Sequence, residues 1–258
     1  DVFTDCSLMF LEEARSDDRP FFLYTAYNAP HWPLEAPEQN MADCRGRYDS
    51  GWDQLRIEKL ARMKTLGLVS PDTELSPSDC PQWDSLAADD QRELAFRREI
   101  YAAQIERMDQ NIGRIVDQLD NTLILILSDN GCSSERGKFG YQWQKNTKSN
   151  FSKWRTASGR SASQGEAWSN ASNTPFRLHK RWVHEGGIAT PLIAHWPNVV
   201  SEGGLVSQQP GHVVDILATC MDVAAARYPE SVDGRPITPA AGISLVPALR
   251  TPQKSASR

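Results

Sequence analysis

The hydrophobic and polar positions of the chain alternate between helical and strand-like spacing. Over residues 3 to 14, Phe3, Leu8 and Leu11, flanked by Met9 and Phe10, follow a rhythm that a short amphipathic helix can bury. Pro20 then precedes Phe21-Phe22-Leu23-Tyr24-Thr25-Ala26-Tyr27, an aromatic and apolar run of strand length. It leads at once into the turn-rich Asn28-Ala29-Pro30-His31-Trp32-Pro33, so a buried strand is expected to end in a loop that carries a histidine. Residues 34 to 88 are punctuated by Pro, Asp and Gly, with a helix predicted over Asp53 to Leu66, and read as a covering insertion.

From Asp89 to Leu119 the positions Ile100, Tyr101, Ile105, Met108, Ile112, Ile115, Val116 and Leu119 recur every three or four residues and predict one long helix. Asn121 breaks it. Leu123 to Leu127 forms a second predicted strand, closed by Ser128-Asp129-Asn130-Gly131. Between Cys132 and Phe176 the chain turns polar, with few branched aliphatic residues, and reads as a long surface excursion at a strand end. Pro191 to Trp196 predicts a third strand. Val213 to Ala226 predicts a helix with Val213, Ile216, Leu217, Cys220, Met221 and Ala224 inward. This order implies an α/β fold, a largely parallel sheet flanked by helices, in which functional groups gather at the carboxyl ends of strands. His31 and the pair Asp129-Asn130 fall at such ends.

Composition narrows the partners. The 258 residues carry 28 basic and 33 acidic side chains for a net charge of -5, spread without a basic face or a run of one sign, which gives no sign of nucleic acid as a partner. The longest purely apolar run, Leu123 to Leu127, falls far short of the roughly 20 residues a bilayer span requires. The first residues, Asp1-Val2-Phe3-Thr4-Asp5, have neither an initiator Met nor the pattern of a secretion signal, so the chain is expected to begin within a longer protein. Cys6, Cys44, Cys80, Cys132 and Cys220 are scattered and show no C-x-x-C spacing, which argues against a zinc site or a dense disulfide framework and leaves one pair free to bridge.

Four residues stand out chemically. Asp129 and Asn130 present a carboxylate and an amide carbonyl, hard oxygen donors suited to Ca²⁺ or Mg²⁺, although Asp-Asn-Gly is also an ordinary turn sequence. His31, between prolines, can donate a proton or a hydrogen bond to an oxyanion. Lys180 lies five residues before Glu185-Gly186-Gly187, and its ammonium can neutralise an anionic substrate. His184 and Glu185 adjoin the same turn; Glu185 suits holding the turn or pairing with a base.

In order along the chain, Pro20-Phe21-Phe22-Leu23-Tyr24, Ala29-Pro30-His31-Trp32-Pro33, the helix from Tyr101 with Met108-Asp109 and Ile112-Gly113, Ser128-Asp129-Asn130-Gly131, and Lys180 with Glu185-Gly186-Gly187 resemble the type I sulfatases, or arylsulfatases, of the alkaline phosphatase superfamily. The resemblance runs from about Phe3 to Leu249. It implies that Asp129 and Asn130 supply half of a Ca²⁺ ligand set completed by two aspartates from elsewhere. His31 would contact sulfate and give a proton to the leaving oxygen, and Lys180 would bind sulfate and the ester oxygen. A sulfate ester, either a sulfated glycan or an aryl sulfate, is the implied substrate, and a periplasmic or extracellular location is the implied compartment.

The implied nucleophile is a formylglycine made from the cysteine of Cys-x-Pro/Ala-x-Arg. No cysteine here begins that motif: Cys132-Ser133-Ser134-Glu135-Arg136 has the spacing but places Ser134 where Pro or Ala is required. Residues 1 to 250 are therefore expected to be the central to C-terminal part of a catalytic domain, with 132 to 178 as a substrate-rim loop and 251 to 258 as a polar end. That piece alone is expected to be inert, because nothing in it replaces the nucleophile. Two other readings stand beside this one: a phosphate-ester hydrolase or transferase of the same superfamily, and a non-catalytic remnant that binds sulfated glycans.

Overall fold

The structure, a computed structural model, describes residues 1–17, 19–135, 137–140, 163–200 and 202–251. It divides into two compact units, one built from Asp1–Ser16, Leu23–Gln118 and Asn130–Thr190, the other from Asp17–Phe22, Leu119–Asp129 and Pro191–Arg258.

The first unit packs around α4 (Ala88–Val116), the long helix the periodicity predicts. Asp89 and Asp90 in its first turn and Arg114 in its last complement the helix dipole. Both α1 (Val2–Arg15) and α2 (Glu38–Asp43) lie against it. Its buried Leu94 and Ala95 join Trp52 of α3 (Gly51–Thr65), Trp83 of a short 3₁₀ turn (Trp83–Ser85), and Ala167, Trp168 and Ala171 of α5 (Gly165–Ser172) in one core. The three indoles meet edge-on or tilted, with centroids 4.7 to 5.6 Å apart, a geometry that the ring quadrupole favours. Two of these indoles donate to backbone carbonyls: Trp168 to that of Leu94 at 2.9 Å and Trp52 to that of Pro81 at 3.0 Å.

Two expectations are corrected by this core. Residues 34 to 88 supply Trp52 and Trp83, so they do more than cover the fold, and the stretch expected as a surface excursion contributes α5, whose Trp168 is wholly buried. The scarcity of branched aliphatic residues misled because a tryptophan carries enough apolar area to take their place. The rest of that excursion, residues 136 and 141–162, lies outside the described residues, as do 252–258 of the polar end.

The run Phe21 to Tyr27, expected as a strand, forms none. From Leu23 on its burial alternates as a strand's does: Leu23, Thr25 and Tyr27 are half-buried while Tyr24 and Ala26 are exposed. Hydroxyl contacts tie the inner face to α1, Ser7 to Thr25 and Thr4 to Tyr27, each at 2.8 Å. Accordingly α1 buries Thr4, Ser7 and Leu11, and the Phe3, Met9 and Phe10 expected inward are about half exposed.

In the second unit the predicted strands appear as β1 (Ile124–Leu127) and β2 (Leu192–His195), and they do pair. The pairing is antiparallel, with Ile124 opposite His195 and Leu127 opposite Leu192. The chain leaves β1 and re-enters β2 at the same end of the pair, which reverses its direction, whereas a parallel pair needs a crossover to the opposite end. The other described pair, β3 (Ser231–Val232) with β4 (Arg235–Pro236), is also antiparallel. The expected largely parallel sheet is thus not found among the described residues.

Helix α7 (Val213–Val223) buries Asp215 and Thr219; of the residues expected inward, Ile216, Cys220 and Met221 are half-buried, while Val213, Leu217 and Ala224 are exposed. Buried Asp215 accepts from the backbone N–H groups of His212 and Ile243, and buried Thr219 accepts from that of Leu245. These bonds dock the segment leading to α8 (Val246–Arg250) and outweigh the pull of hydrophobic periodicity. All five cysteines are free.

Beneath the tryptophan core, Arg98 of α4 is buried over the Tyr101 ring, 4.7 Å from its centroid, and donates to Ser172 Oγ and Gln164 Oε1. Lys59 of α3 donates to the Ser172 carbonyl. Burial, reinforced by the Arg98 charge, lowers the Lys59 ammonium from 10.5 to about 8. Between those two values the unfolded chain holds a proton that the folded chain lacks, so stability gains from Lys59 as pH rises from about 8 to 10.5. Lys59→Met should therefore be more stable than wild type at pH 7, by on the order of 1–2 kcal/mol after allowing for solvent screening, with the advantage shrinking towards pH 10.5. Urea unfolding at a series of pH values measures this, and a pH-independent difference would contradict it.

Candidate functional site

Two loops of the first unit, 130–135 and 177–187, are joined by backbone hydrogen bonds. The Gly131 N–H donates to the Gly187 carbonyl at 2.9 Å and the Lys180 N–H to the Cys132 carbonyl at 3.0 Å. Asn173, just past α5, bridges the same loops: its Oδ1 accepts from the Cys132 N–H and its Nδ2 donates to the Leu178 carbonyl. The second loop folds on itself through Gly186 N–H to Arg177 O and Gly187 N–H to His184 O, entering the single turn α6 (Glu185–Ile188). The Glu-Gly-Gly sequence follows from this crowding. A Cβ on Gly131 would strike the Gly186 carbonyl, one on Gly186 the carbonyls of Arg177 and Leu178, and one on Gly187 the Trp182 carbonyl.

Lys180 stands where this folding is tightest. Its flanks, Leu178 with φ 67° and Arg181 with φ 98°, are both in the left-handed region that side chains disfavour. The buried His179 donates from Nδ1 to the Lys180 carbonyl at 2.9 Å, which fixes the peptide on the far side. The Lys180 ammonium reaches His31, 149 residues earlier, with Nζ 3.3 Å from Nε2.

The His31 ring is oriented at both nitrogens. Nδ1 lies 2.7 Å from the Trp32 carbonyl, which can only accept, so the proton resides on Nδ1 and Nε2 is left for other partners. Those partners are the Lys180 ammonium and the carboxylate of Glu135, 3.5 Å away. The ring is about half exposed, open to a ligand. The two residues singled out for sulfate contact from the sequence thus come together. Glu135, which joins them, was read in the sequence only as part of a chance cysteine–arginine spacing; its position four residues after Gly131 offered no other signal.

Asp129 ends one segment of the second unit and Asn130 begins a segment of the first. Asp129 is exposed at the end of β1, and Asn130 is half-buried next to the Gly131–Gly187 bond. Both donors are hard oxygens, which fit Ca²⁺ in kind but fall short of its six to eight ligands in number. Among the described residues no group of three or more His, Cys, Asp or Glu could hold a metal ion. His184 and Glu185 are exposed and line, with Glu74, Phe176 and Arg177, a cleft of about 270 Å³ that includes neither His31 nor Lys180.

Because the carbonyls of Arg177, Leu178, His179 and Trp182 crowd Gly186 and Gly187, substitution there should act through the loop. Gly187→Ala should cost about 1–3 kcal/mol of stability, seen as a lower urea midpoint. An unchanged midpoint would mean that the two loops are not packed this closely.

The family model described as Sulfatase matches residues 1–226. The chain is 32% identical over 232 residues to an uncharacterized sulfatase of Schizosaccharomyces pombe, covering 83% of this chain and 41% of the relative. It is 30% identical over 261 residues to the arylsulfatase of Klebsiella aerogenes, covering 95% of this chain and 54% of the relative. An N-acetylgalactosamine-6-sulfatase of Sus scrofa is 29% identical over 248 residues, covering 93% and 32%. The chain spans about half the length, or less, of these curated relatives. With the family model matched over most of its residues, the chain belongs to the sulfatase family.

Proposed function

We propose that the protein hydrolyses a sulfate ester, with His31 and Lys180 as the residues of this chain that engage the sulfuryl group and the leaving oxygen. The observation that carries the reading is the 3.3 Å approach of Lys180 Nζ to His31 Nε2 across 149 residues. A sulfate monoester is anionic throughout the reaction, and negative charge builds on the leaving oxygen as the S–O bond breaks. A fixed ammonium opposes the first charge and a proton on Nε2 quenches the second. The geometry suits both tasks, because the Trp32 carbonyl occupies Nδ1 and turns Nε2 towards Lys180.

The formylglycine expected from the resemblance would supply the attacking oxygen, and no cysteine of this chain starts its motif. Asp129 and Asn130 would hold Ca²⁺ together with ligands from elsewhere, and the ion would add positive charge near the sulfuryl oxygens. The names of the similar proteins, an arylsulfatase and an N-acetylgalactosamine-6-sulfatase, favour aryl sulfates and sulfated sugars as the compounds to test. A periplasmic or extracellular location belongs to the same reading; among the described residues no helix is long and apolar enough to cross a membrane.

Variants of the full-length enzyme test this directly. His31→Ala and Lys180→Ala should each lower turnover by about 100-fold or more without lowering the melting temperature. The His31→Ala loss should be smaller on an activated aryl sulfate, whose phenolate leaves without a proton, than on an alkyl sulfate. Equal losses on both substrates would reassign His31 to sulfate binding, and wild-type rates for both variants would overturn the reading.

A further inference from the structure

Glu135 is built into the site more firmly than a surface acid needs to be. Its φ of 32° lies in the left-handed region, disfavoured for a residue with a side chain. Two serines hold it there. The buried Ser163 donates its hydroxyl to the Glu135 carbonyl at 2.6 Å, and Ser133 donates to the carboxylate Oε1 at 2.8 Å. The same Oε1 lies 3.5 Å from His31 Nε2.

A cation and an anion therefore converge on one ring nitrogen: the Lys180 ammonium at 3.3 Å and the Glu135 carboxylate at 3.5 Å, with the Trp32 carbonyl on the opposite nitrogen. Each serves a different protonation state. When the ring is neutral, the Nε2 lone pair accepts from Lys180. When it is protonated, Nε2–H faces Glu135 and its charge is balanced. Lys180 alone would oppose the protonated ring, so a proton donor at this position requires a nearby negative charge.

We propose that Glu135 is a positioning residue for His31, retaining the proton on Nε2 until the leaving oxygen of the ester takes it; this rests on the reading of His31 and Lys180 as the reactive pair. As an attacking oxygen nucleophile bonds to sulfur and the ester S–O bond breaks, the electron pair of that bond goes to the leaving oxygen, which takes the Nε2 proton. The ring is left neutral with its lone pair towards Lys180, and Glu135 neither gives nor takes a proton in this step.

The test uses the full-length enzyme and compares Glu135→Gln, Glu135→Asp, His31→Ala and the double variant His31→Ala/Glu135→Gln. Glu135→Gln keeps the shape and removes the charge. It should lower kcat on an alkyl sulfate about tenfold with KM changed less than twofold, and cost little on an activated aryl sulfate. Glu135→Asp, which restores the charge, should recover part of the alkyl sulfate rate. In the His31→Ala background Glu135→Gln should have no further effect, because the two residues act as one unit. Losses that multiply in the double variant would show that Glu135 does not act through His31 and would overturn the proposal. A wild-type rate for Glu135→Gln beside an impaired His31→Ala would overturn it while leaving the reactive pair intact. A wild-type rate for His31→Ala would remove the reading beneath it as well.

Discussion

The Gly131 N–H to Gly187 carbonyl bond, with its neighbour from Lys180 to Cys132, is the constraint on which the site depends. It holds two loops from distant parts of the chain at backbone contact, where only glycine fits at three positions. Lys180 is set between left-handed residues as a consequence, and its long side chain is directed at His31 and not left to solvent. A site made in this way is fixed by main-chain geometry, and side chains add only the final orientation. The cost is local backbone strain, which the Asn173 bridge and the wholly buried Trp168 of the helix just before it hold in place.

Charge follows the same plan. Arg98 and Lys59 hold positive charge in the core with aromatic faces, hydroxyls and carbonyls as partners. At the candidate site the balance differs, because Lys180 is accompanied by Glu135 on the opposite side of one imidazole nitrogen. An ammonium, an imidazole and a carboxylate thus lie close together, the arrangement on which the proposed anion binding and proton transfer rest.

Much of this was legible in the sequence, though unevenly. The long helix from Ala88 to Val116 was legible because apolar residues recur every three or four positions from Ile100 to Leu119, and the strands at 124 and 192 because each is a short apolar run closed by turn residues. The meeting of His31 and Lys180 was foreshadowed by Pro-His-Trp-Pro and Glu-Gly-Gly, unusual sequences with one shared resemblance. Strand direction was not, since it depends on the end at which the chain re-enters the pair. The inward faces of α1 and α7 were misread, because Thr4, Ser7, Asp215 and Thr219 are buried by specific hydrogen bonds while Phe3, Phe10, Val213 and Leu217 stay exposed. Glu135 was invisible because its approach to His31 depends on a left-handed backbone turn that no local sequence pattern announces.

The central claim is that Lys180 and His31 together form an anion-binding site. It is tested most directly by a crystal structure of the full-length protein soaked with vanadate, an anion of sulfate's shape that also takes the trigonal geometry of the transferring group. The account predicts vanadate oxygens within hydrogen-bond distance of both Lys180 Nζ and His31 Nε2, with the Gly131–Gly187 bond intact. Vanadate bound elsewhere, with His31 and Lys180 facing only each other and solvent, would contradict it.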